Sequence, residues 1–365
     1  MSDAGQVAPL PGAAGYRLPA EWEPHAATWL SWPRNPDTWP GSFDLVPSVW
    51  TELTEVIAES EPVHILAGGE EVMADARERV GHLANVTLHD VPTNDAWIRD
   101  HGPMFLSAPD GAPAQLIDWD YDSWGGKYPP FDLDNAVPAA VAKRLGFTRQ
   151  LPGMAREGGV VLEGGAIESN GAGTVLACAS CLVGQRRNAG LSRDDMERLL
   201  RDYAGVRKVC WIEAAAGEAG SSAVGIGGDD TDGHIDQLAR FVSPTRVVVA
   251  AEEDAGDANF AFLKSLWWQL SEATDADGLR FRLVRLPMPR PVIHEGQRLP
   301  ASYANFYVTN RSLLVPQFAD PADEAAREIV GSCFPDRKVH GFDSRILVRG
   351  LGGIHCVTLS QPDSR

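Results

Sequence analysis

Helical and strand-like patterns alternate along most of the chain, and this alternation is the feature that most restricts its possible folds. Apolar residues recur at helical spacing in six segments: 47–60, 70–84, 136–146, 192–204, 258–273 and 322–332. Strand-like runs lie between them, at 63–67, 86–91, 246–251, 281–286 and 312–316. Such alternation predicts an α/β fold.

Five of the six helical patterns follow one another at an interval of about sixty residues, which hints at a repeated unit. The pattern over 47–60 interrupts this regularity, and no residue motif is shared by all units. No low-complexity stretch that would serve as a linker divides the chain. We therefore expect a single domain over residues 1–365, with residues 1–16 as a flexible N-terminal lead.

The net charge of the chain restricts the kinds of ligand that it is expected to bind. The chain has 32 Lys and Arg against 50 Asp and Glu, a net charge of −18, which repels nucleic acid and attracts cationic partners. The N-terminus lacks the basic start and apolar stretch of an export signal, and no apolar run approaches the roughly 20 residues of a membrane helix. We expect a cytoplasmic protein that acts on neither nucleic acid nor membrane.

The cysteines do not form a disulfide pattern, because there are five of them and they are widely spaced. Cys178 and Cys181 have C-x-x-C spacing, but no second pair completes a zinc site. They also fall in a strand-like run rather than at a helix start, so we interpret them as ordinary buried thiols. The P-loop, the complete G-x-G-x-x-G, the G-x-S-x-G elbow and H-E-x-x-H are all absent from the sequence.

Four acid-rich or glycine-rich clusters are the candidates for chemistry, at residues 94–103, 162–165, 228–236 and 350–358. In the third, four carboxylates surround His234; if 234–242 is a strand, His234 and Asp236 share a face. In the last, Cys356 follows a glycine-rich turn. A cysteine, a histidine and several acids are what thiolate attack on a guanidinium requires. Paired carboxylates hold its fork of donors, the sulfur attacks the central carbon, and the histidine moves protons.

A metal-dependent hydrolase is the rival in a different class. The segment Asp232-Gly-His234-Ile-Asp236, together with His101 and His355, offers imidazole and carboxylate ligands. In that case the cysteine would be incidental.

Longer motifs resemble the agmatine deiminases, within the guanidine-modifying enzymes that also include the peptidyl-arginine deiminases. They span nearly the whole chain and are Pro19–Pro33 (PAEWEPHAATWLSWP), Asp95–Pro103 (DAWIRDHGP), Leu162–Gly165 (LEGG), Asp230–Asp236 (DTDGHID), Leu299–Tyr307 (LPASYANFY) and Gly352–Cys356 (GGIHC). The resemblance implies a pseudo-fivefold α/β propeller built of ββαβ units, the pentein fold, with the active site at its centre.

The resemblance also assigns roles. Cys356 matches the nucleophile that forms an amidino-thioether after loss of ammonia, His234 the general acid and base, and Glu163 the acid that orients the histidine. Asp100 and Asp236 match the pair that holds the guanidinium.

Trp97 is similar to the aromatic residue that lines the substrate channel, although it would serve equally well as a core tryptophan. No cofactor and no catalytic metal are implied. The expected partner is a small cationic guanidine, and relatives are commonly homodimers or larger homo-oligomers.

Two segments depart from the family pattern. Relatives usually carry Glu-Ser-Cys or Thr-Glu-Xaa-Cys followed by Asn-Arg-Asn-Pro, where this chain has residues 178–189, CASCLVGQRRNA. Residues 213–227 form a longer stretch rich in Ala, Gly and Ser, as in a mobile loop. We expect both at the rim, outside the catalytic set, where the tail of the substrate is recognised.

The expected reaction is therefore hydrolysis of agmatine to N-carbamoylputrescine and ammonia, a step of putrescine biosynthesis. Other guanidines stay open as substrates: arginine, methylarginine or peptidyl-arginine. Transfer of the amidino group to an amine is a further alternative, as is a protein of the same fold that binds guanidines without turnover. Because acids raise the pKa of a thiol and a bound guanidinium lowers it, the substrate itself is expected to help form the thiolate.

Overall fold

A computed structural model describes residues 9–152, 159–214 and 224–363. The strands are β1 (His25–Ser31), β2 (Val63–Leu66), β3 (Val86–His89), β4 (Met104–Phe105), β5 (Gln115–Ile117), β6 (Thr148–Gln150), β7 (Ile167–Ser169), β8 (Thr174–Cys178), β9 (Lys208–Ile212), β10 (Ala239–Ser243), β11 (Arg246–Ala251), β12 (Arg282–Pro287), β13 (Ile293–His294), β14 (Gln297–Arg298), β15 (Tyr307–Val308), β16 (Ser312–Gln317), β17 (Lys338–Asp343) and β18 (Leu359–Pro362). The helices are α1 (Val46–Ala58), α2 (Glu70–Val80), α3 (Ile98–His101), α4 (Ser123–Gly126), α5 (Asp132–Asn135), α6 (Val137–Leu145), α7 (Ala179–Leu182), α8 (Arg193–Ala204), α9 (Phe260–Glu272) and α10 (Asp323–Cys333). The six helical patterns and the five strand-like runs predicted between them are present, and among these the largest displacement is the end of α2 at Val80 instead of residue 84.

Five sheets repeat one topology, which confirms the α/β propeller expected from the resemblance. In each sheet an antiparallel pair of strands is followed by a helix and a third strand that runs parallel to the second. The units are β4-β5-α6-β6, β7-β8-α8-β9, β10-β11-α9-β12, β15-β16-α10-β17 and β18-β1-α1-β2. A two-stranded ribbon, β13-β14, lies between the third and fourth units.

The two ends of the chain complete one of these units together. β18 pairs antiparallel with β1, and β1 runs parallel to β2 across helix α1. Helix α2 and strand β3 are then an addition that extends this sheet to four strands. The helix outside the fivefold repeat is therefore α2 and not α1, although α2 keeps the sixty-residue interval, because the repeat starts with the last strand of the chain.

The pattern of buried residues explains why these segments form strands and helices. Strands β8 and β11 lie inside the sheets and read as apolar runs, and β8 is buried at every position. Helix α8 presents Met196, Leu200 and Ala204 to the core at helical spacing and has charged residues elsewhere. Its first turn is closed by a capping box between Ser192 and Asp195.

Each unit carries a short segment immediately before its first strand, and these five segments meet at the centre of the propeller. Three are 3₁₀ turns, at Gly164–Ala166, Ile235–Gln237 and His355–Val357, and one is helix α3. The fifth precedes β15. The polar side chains at these five places are, in chain order, Asp100, Glu163, Asp236, Asn305 and Cys356.

Two segments were expected to be flexible, residues 1–16 and residues 213–227, and the structure describes each of them only in part. Residues 1–8 lie outside the described residues, but the second half of the expected flexible lead packs on the domain. The backbone N–H of Gly12 donates to Asp202, and the hydroxyl of the buried Tyr16 donates to the carbonyl of Pro113. Of the expected mobile stretch 213–227, residues 215–223 lie outside the described residues. Within the described ranges, no helix is long and apolar enough to cross a bilayer.

Candidate active site

Cys356 lies in the turn His355–Val357 that leads into β18, and its side chain is buried at the floor of a cavity. The side-chain amide of Asn305 donates to its Sγ at 3.3 Å, and Oδ2 of Asp236 is 3.6 Å from the same sulfur. Burial and the carboxylates of Asp236 and Asp100 raise the pKa of the thiol well above its ordinary value. In the free protein Cys356 is therefore a thiol.

The two glycines before Cys356 are needed for close packing. A Cβ on Gly352 would lie 2.3 Å from Cζ3 of Trp97, and a Cβ on Gly353 would lie 2.3 Å from Oδ1 of Asn305. Only glycine lets the backbone approach this closely. The glycine-rich turn thus brings the cysteine against the asparagine that bonds its sulfur.

Asp100 is a buried carboxylate held by two donors. Its Oδ1 accepts from the backbone N–H of Gly165 at 3.0 Å, and its Oδ2 accepts from Nε1 of Trp124 at 3.1 Å. Burial raises the pKa of Asp100 to about 6; the nearby His234 opposes this rise, and the carboxylate of Asp236 adds to it. The charge of this group therefore changes near neutral pH.

Asp236 is equally buried but has the opposite electrostatic setting. Its Oδ2 is 2.8 Å from Nδ1 of His355, whereas its Oδ1 has no hydrogen-bond partner. Burial raises the pKa of this carboxyl, but the hydrogen bond and charge of His355 outweigh burial and leave it below its ordinary value. Asp100 and Asp236 line the same cavity, as expected of a pair that grips a guanidinium.

His234 also faces the cavity, but its backbone differs from the expected strand. A turn with left-handed φ angles of 66° at Asp232 and 101° at Gly233 precedes it, a 3₁₀ turn follows, and β10 begins only at Ala239. The interpretation of 234–242 as a strand was therefore wrong. The ring is buried, with Nδ1 3.7 Å from Oδ1 of Asp100 and with Nε2 unpartnered.

Glu163 stands behind His234, fully buried. Its Oε1 accepts from Nε of Arg187 at 2.5 Å, and its Oε2 has no partner. Arg187 also donates through Nη1 to Asp232 at 2.8 Å and through Nη2 to the carbonyl of Thr231 at 2.6 Å. One guanidinium thus ties Glu163 to the loop that carries His234.

Two expectations about residues 178–189 are corrected by this arrangement. The segment does not stay at the rim, because Arg187 bonds Glu163 directly. Cys178 ends β8, but Cys181 lies inside helix α7 and not in a strand. Both thiols are buried and unoxidised, and burial raises the pKa of each, as expected for ordinary buried cysteines. The segment enters the centre because α7 follows β8 directly and packs against it, which places the turn after α7 beside Glu163.

Tryptophan rings form one wall of the cavity, which has a volume of 780 Å³. Trp97 lines it while stacking on Trp39, with ring centroids 5.4 Å apart, so it is both a wall and a core residue. Trp124 meets the edge of Trp97 at 6.5 Å and carries the N–H that bonds Asp100. Trp124 itself adopts a left-handed backbone with φ of 57°, which only surrounding contacts stabilise for a bulky residue.

The structure does not form the alternative metal site that the sequence suggested. Both ring nitrogens of His355 are bonded to carboxylates, those of Asp236 and Glu21. Over the described ranges, the side chains close enough to ligate an ion are Glu163, Cys181 and His234, with ligand atoms within 4.8 Å of one another. The guanidinium of Arg187 bonds this group's only carboxylate, and its positive charge opposes a second cation there.

Sequence reasoning missed four residues of this centre: Glu21, Trp124, Arg187 and Asn305. Glu21 and Asn305 lie inside motifs that carry the family resemblance, at 19–33 and 299–307. Arg187 lies in the segment that departs from the family pattern. Their contacts join residues up to 334 positions apart in the sequence. A motif could therefore identify these residues but could not show which residues they contact.

Comparison with known proteins gives one consistent result. The family model of the Porphyromonas-type peptidyl-arginine deiminases matches residues 17–362. The agmatine deiminase of Pseudomonas aeruginosa is 33% identical over 377 aligned residues, which cover 97% of this chain and 98% of the relative. The agmatine deiminase of Enterococcus faecalis superposes with a TM-score of 0.86 at 30% identity, covering 98% of this chain and 99% of that one. A cysteine-to-serine variant of the C. jejuni agmatine deiminase with substrate bound superposes at 0.82, with 28% identity and coverage of 95% and 96%.

Proposed function

The chain belongs to the Porphyromonas-type peptidyl-arginine deiminase family, and from this membership and the geometry of its centre we propose that it hydrolyses agmatine to N-carbamoylputrescine and ammonia. It is a guanidine-modifying hydrolase. The single observation that carries the proposal is a buried cysteine whose sulfur lies 3.6 Å from one of two carboxylates that face the same cavity.

The two carboxylates select a planar cation. Each is buried, and Asp236 keeps one oxygen free of any hydrogen bond inside the protein. A guanidinium presents five N–H donors in a plane and matches such acceptors in bidentate fashion. An unpartnered buried oxygen has a large desolvation cost, which a charged donor from the substrate would offset.

Binding of that cation also prepares the nucleophile. In the free protein the carboxylates of Asp236 and Asp100 hold the pKa of Cys356 high. A guanidinium between them brings a positive charge next to the sulfur, which favours loss of the thiol proton to solvent. The N–H donated by Asn305 then stabilises the thiolate.

In the first half of the reaction the thiolate attacks the guanidinium carbon and a C–S bond forms. Protonated His234 gives its proton to the departing nitrogen, the C–N bond breaks, and ammonia leaves an amidino-thioether on Cys356. Glu163 lies behind the ring of His234 and stabilises its charged form.

In the second half His234, now neutral, takes a proton from water as the oxygen attacks the same carbon. The C–S bond breaks, the thiolate is restored, and the carbonyl product forms. The proton that remains on the product's oxygen passes to solvent, where the ammonia released earlier takes it up as ammonium, and His234 keeps the proton taken from water. Nδ1 of His234, which lies 3.7 Å from Oδ1 of Asp100, is the ring nitrogen on the side of the substrate carboxylates and is the one assigned to these transfers.

The test is ammonia release from agmatine, arginine, methylarginines and an arginyl peptide, with intact-mass analysis of enzyme quenched during turnover. We expect ammonia from agmatine and a mass adduct localised to Cys356. Ammonia from another member of the panel would keep the mechanism and replace the substrate. No ammonia and no adduct from any member would overturn the proposal.

Two additions to the same assay test the alternatives. Glycine or ornithine is added to look for a newly formed guanidine, which would indicate amidino transfer. Loss of activity with a chelator, together with resistance to thiol alkylation, would favour the metal-dependent reading. A cytoplasmic location, a homodimeric or larger assembly and a place in putrescine biosynthesis stay predictions.

A further inference from the structure

His355, the residue before the candidate nucleophile, is held between two buried carboxylates. Its Nδ1 is 2.8 Å from Oδ2 of Asp236, and its Nε2 is 2.8 Å from Oε2 of Glu21. Carboxylates that are ionised only accept hydrogen bonds, so a ring bonded to both must donate from both nitrogens. An imidazole with two N–H groups carries a positive charge.

A charge count of the surrounding cluster leads to the same conclusion. Among the described residues, the ion pairs and hydrogen bonds that extend outward from His355 link five charged side chains from the elements packed around it: Asp236 from the turn before β10, Glu21 from the segment before β1, Arg99 from α3, Glu168 from β7 and Arg240 from β10. We call Glu21, Arg99, Glu168, Arg240 and His355 the inner ion cluster. With Asp236, it holds three carboxylates and two guanidiniums, so a charged His355 makes it neutral. Burial penalises any net charge, which favours the protonated ring.

We propose that His355 is a fixed imidazolium that keeps the guanidinium-binding carboxylate of Asp236 ionised and oriented before substrate arrives. This inference rests on the proposed function, in which Asp236 grips the substrate. His355 is a positioning residue and does not touch the reacting atoms, because both of its ring nitrogens are already bonded to carboxylates.

The two substrate carboxylates support this assignment by their difference. Both are buried near the same sulfur, yet the pKa of Asp100 is raised to about 6 whereas the pKa of Asp236 is lowered. Asp100 bonds a backbone N–H and an indole N–H, which are neutral donors. Asp236 bonds His355. Among the groups that lower the pKa of Asp236, His355 acts most strongly, ahead of His234 and Arg240.

His355→Asn tests the charge apart from the hydrogen bond, since Asn can donate an N–H toward Asp236 without a charge. Without the positive charge of His355, we expect the pKa of Asp236 to rise toward that of Asp100. The acid limb of kcat/KM then moves to higher pH and becomes steeper. At pH 6 we expect a loss of about tenfold or more, mainly through KM, with recovery to within about threefold at pH 9.

His25→Asn is the matched control. His25 is also buried and doubly bonded, through Nδ1 to Glu61 at 2.9 Å and through Nε2 to the backbone carbonyl of Glu21 at 2.7 Å, but it does not line the cavity. Its loss should lower stability and change activity by the same factor at every pH. A pH-independent loss in His355→Asn as well would overturn the inference.

A direct readout separates failure of this inference from failure of the proposed function. ¹⁵N NMR of histidine-labelled protein, with His355 assigned by the loss of its signals in His355→Asn, reports the protons on both ring nitrogens. We expect a proton on both ring nitrogens at neutral pH. A neutral ring near pH 7 would overturn the imidazolium even in an active enzyme, whereas a protonated ring in a protein inactive on every guanidine would leave it standing and overturn the function.

Discussion

The inner ion cluster and the wall that faces the cavity lie side by side at the centre of the propeller, and they treat polar atoms in opposite ways. In the cluster the carboxylate oxygens are bonded to arginine, histidine or backbone donors. On the wall, Nε2 of His234 and Oδ1 of Asp236 have no partner, and neither has Oε2 of Glu163 just behind it. Buried polar atoms are normally bonded, so this wall is arranged for a visiting polar molecule and the cluster is arranged for rigidity.

The largest loss of activity is expected on substitution of Cys356, the proposed nucleophile. Cys356→Ser should lower turnover of agmatine by about 10³-fold or more, because a serine hydroxyl ionises far less readily than a thiol. Binding should persist, since Asp100 and Asp236 remain. Steady-state kinetics measure the first effect and calorimetry the second.

Cys178→Ser is the control for that substitution, because Cys178 is an equally buried free thiol that does not line the cavity. It should leave kcat nearly unchanged. Substantial turnover by Cys356→Ser would remove Cys356 from the role of nucleophile.

A second substitution removes a charge from directly behind the wall without changing the shape of the side chain. Glu163→Gln keeps an oxygen to accept from Arg187 but no longer stabilises protonated His234, so kcat should fall by about 10²–10⁴-fold. KM should change little because Glu163 does not line the cavity. Thermal denaturation monitors the fold, and an unchanged kcat would show that His234 works without this carboxylate.

In the inner ion cluster the main expected effect is on stability. Arg240 is fully buried and bonds Glu21 at 2.7 Å and Glu168 at 2.9 Å. Arg240→Met leaves both carboxylates without this cation and should lower the free energy of unfolding by about 3–5 kcal/mol in urea denaturation.

Arg207→Met is the matched surface substitution, because Arg207 pairs with Asp277 at 2.7 Å while more than half exposed. It should lower the free energy of unfolding by less than about 1 kcal/mol. If Arg240→Met does not fold, Arg240→Lys can be used instead, because it keeps the charge and should lower the free energy of unfolding by less. Equal effects at the two sites would mean that the cluster contributes no more than a surface pair.

Acid pH should distinguish the two substrate carboxylates. Asp100 has to be ionised to bind a guanidinium, and its pKa is raised to about 6, so its charge is lost as the pH falls through 6. Below pH 6 we expect kcat/KM to fall about tenfold per pH unit. A pH profile of kcat/KM measures this, and a limb that stays flat to pH 4 would contradict the prediction.

The smallest effect is expected at the indole that bonds Asp100. Trp124→Phe keeps the aromatic wall but removes the N–H that lies 3.1 Å from Oδ2. A lost hydrogen bond to a charged group corresponds to about 1.5–3 kcal/mol at most, and water in the cavity can replace part of it, so kcat/KM should fall about five- to tenfold. A fall as large as that of Glu163→Gln would mean that Trp124 also shapes the cavity.

The sequence by itself determined most of the secondary structure and which residues are the candidates for the reaction. Strand β11 was predicted at its observed bounds, and Cys356, His234, Glu163, Asp100 and Asp236 were named from motifs. These features depend on local periodicity and on short runs of residues, which a single segment of chain already contains.

Only the tertiary structure decided how those groups are supported. The pairing of β18 with β1, the bond of Arg187 to Glu163 and the placement of His355 between Asp236 and Glu21 all join segments far apart in sequence. Local pattern also failed at His234, where a turn replaces the expected strand. Partners of this kind are set by which segments the fivefold packing brings together, and no local pattern records that packing.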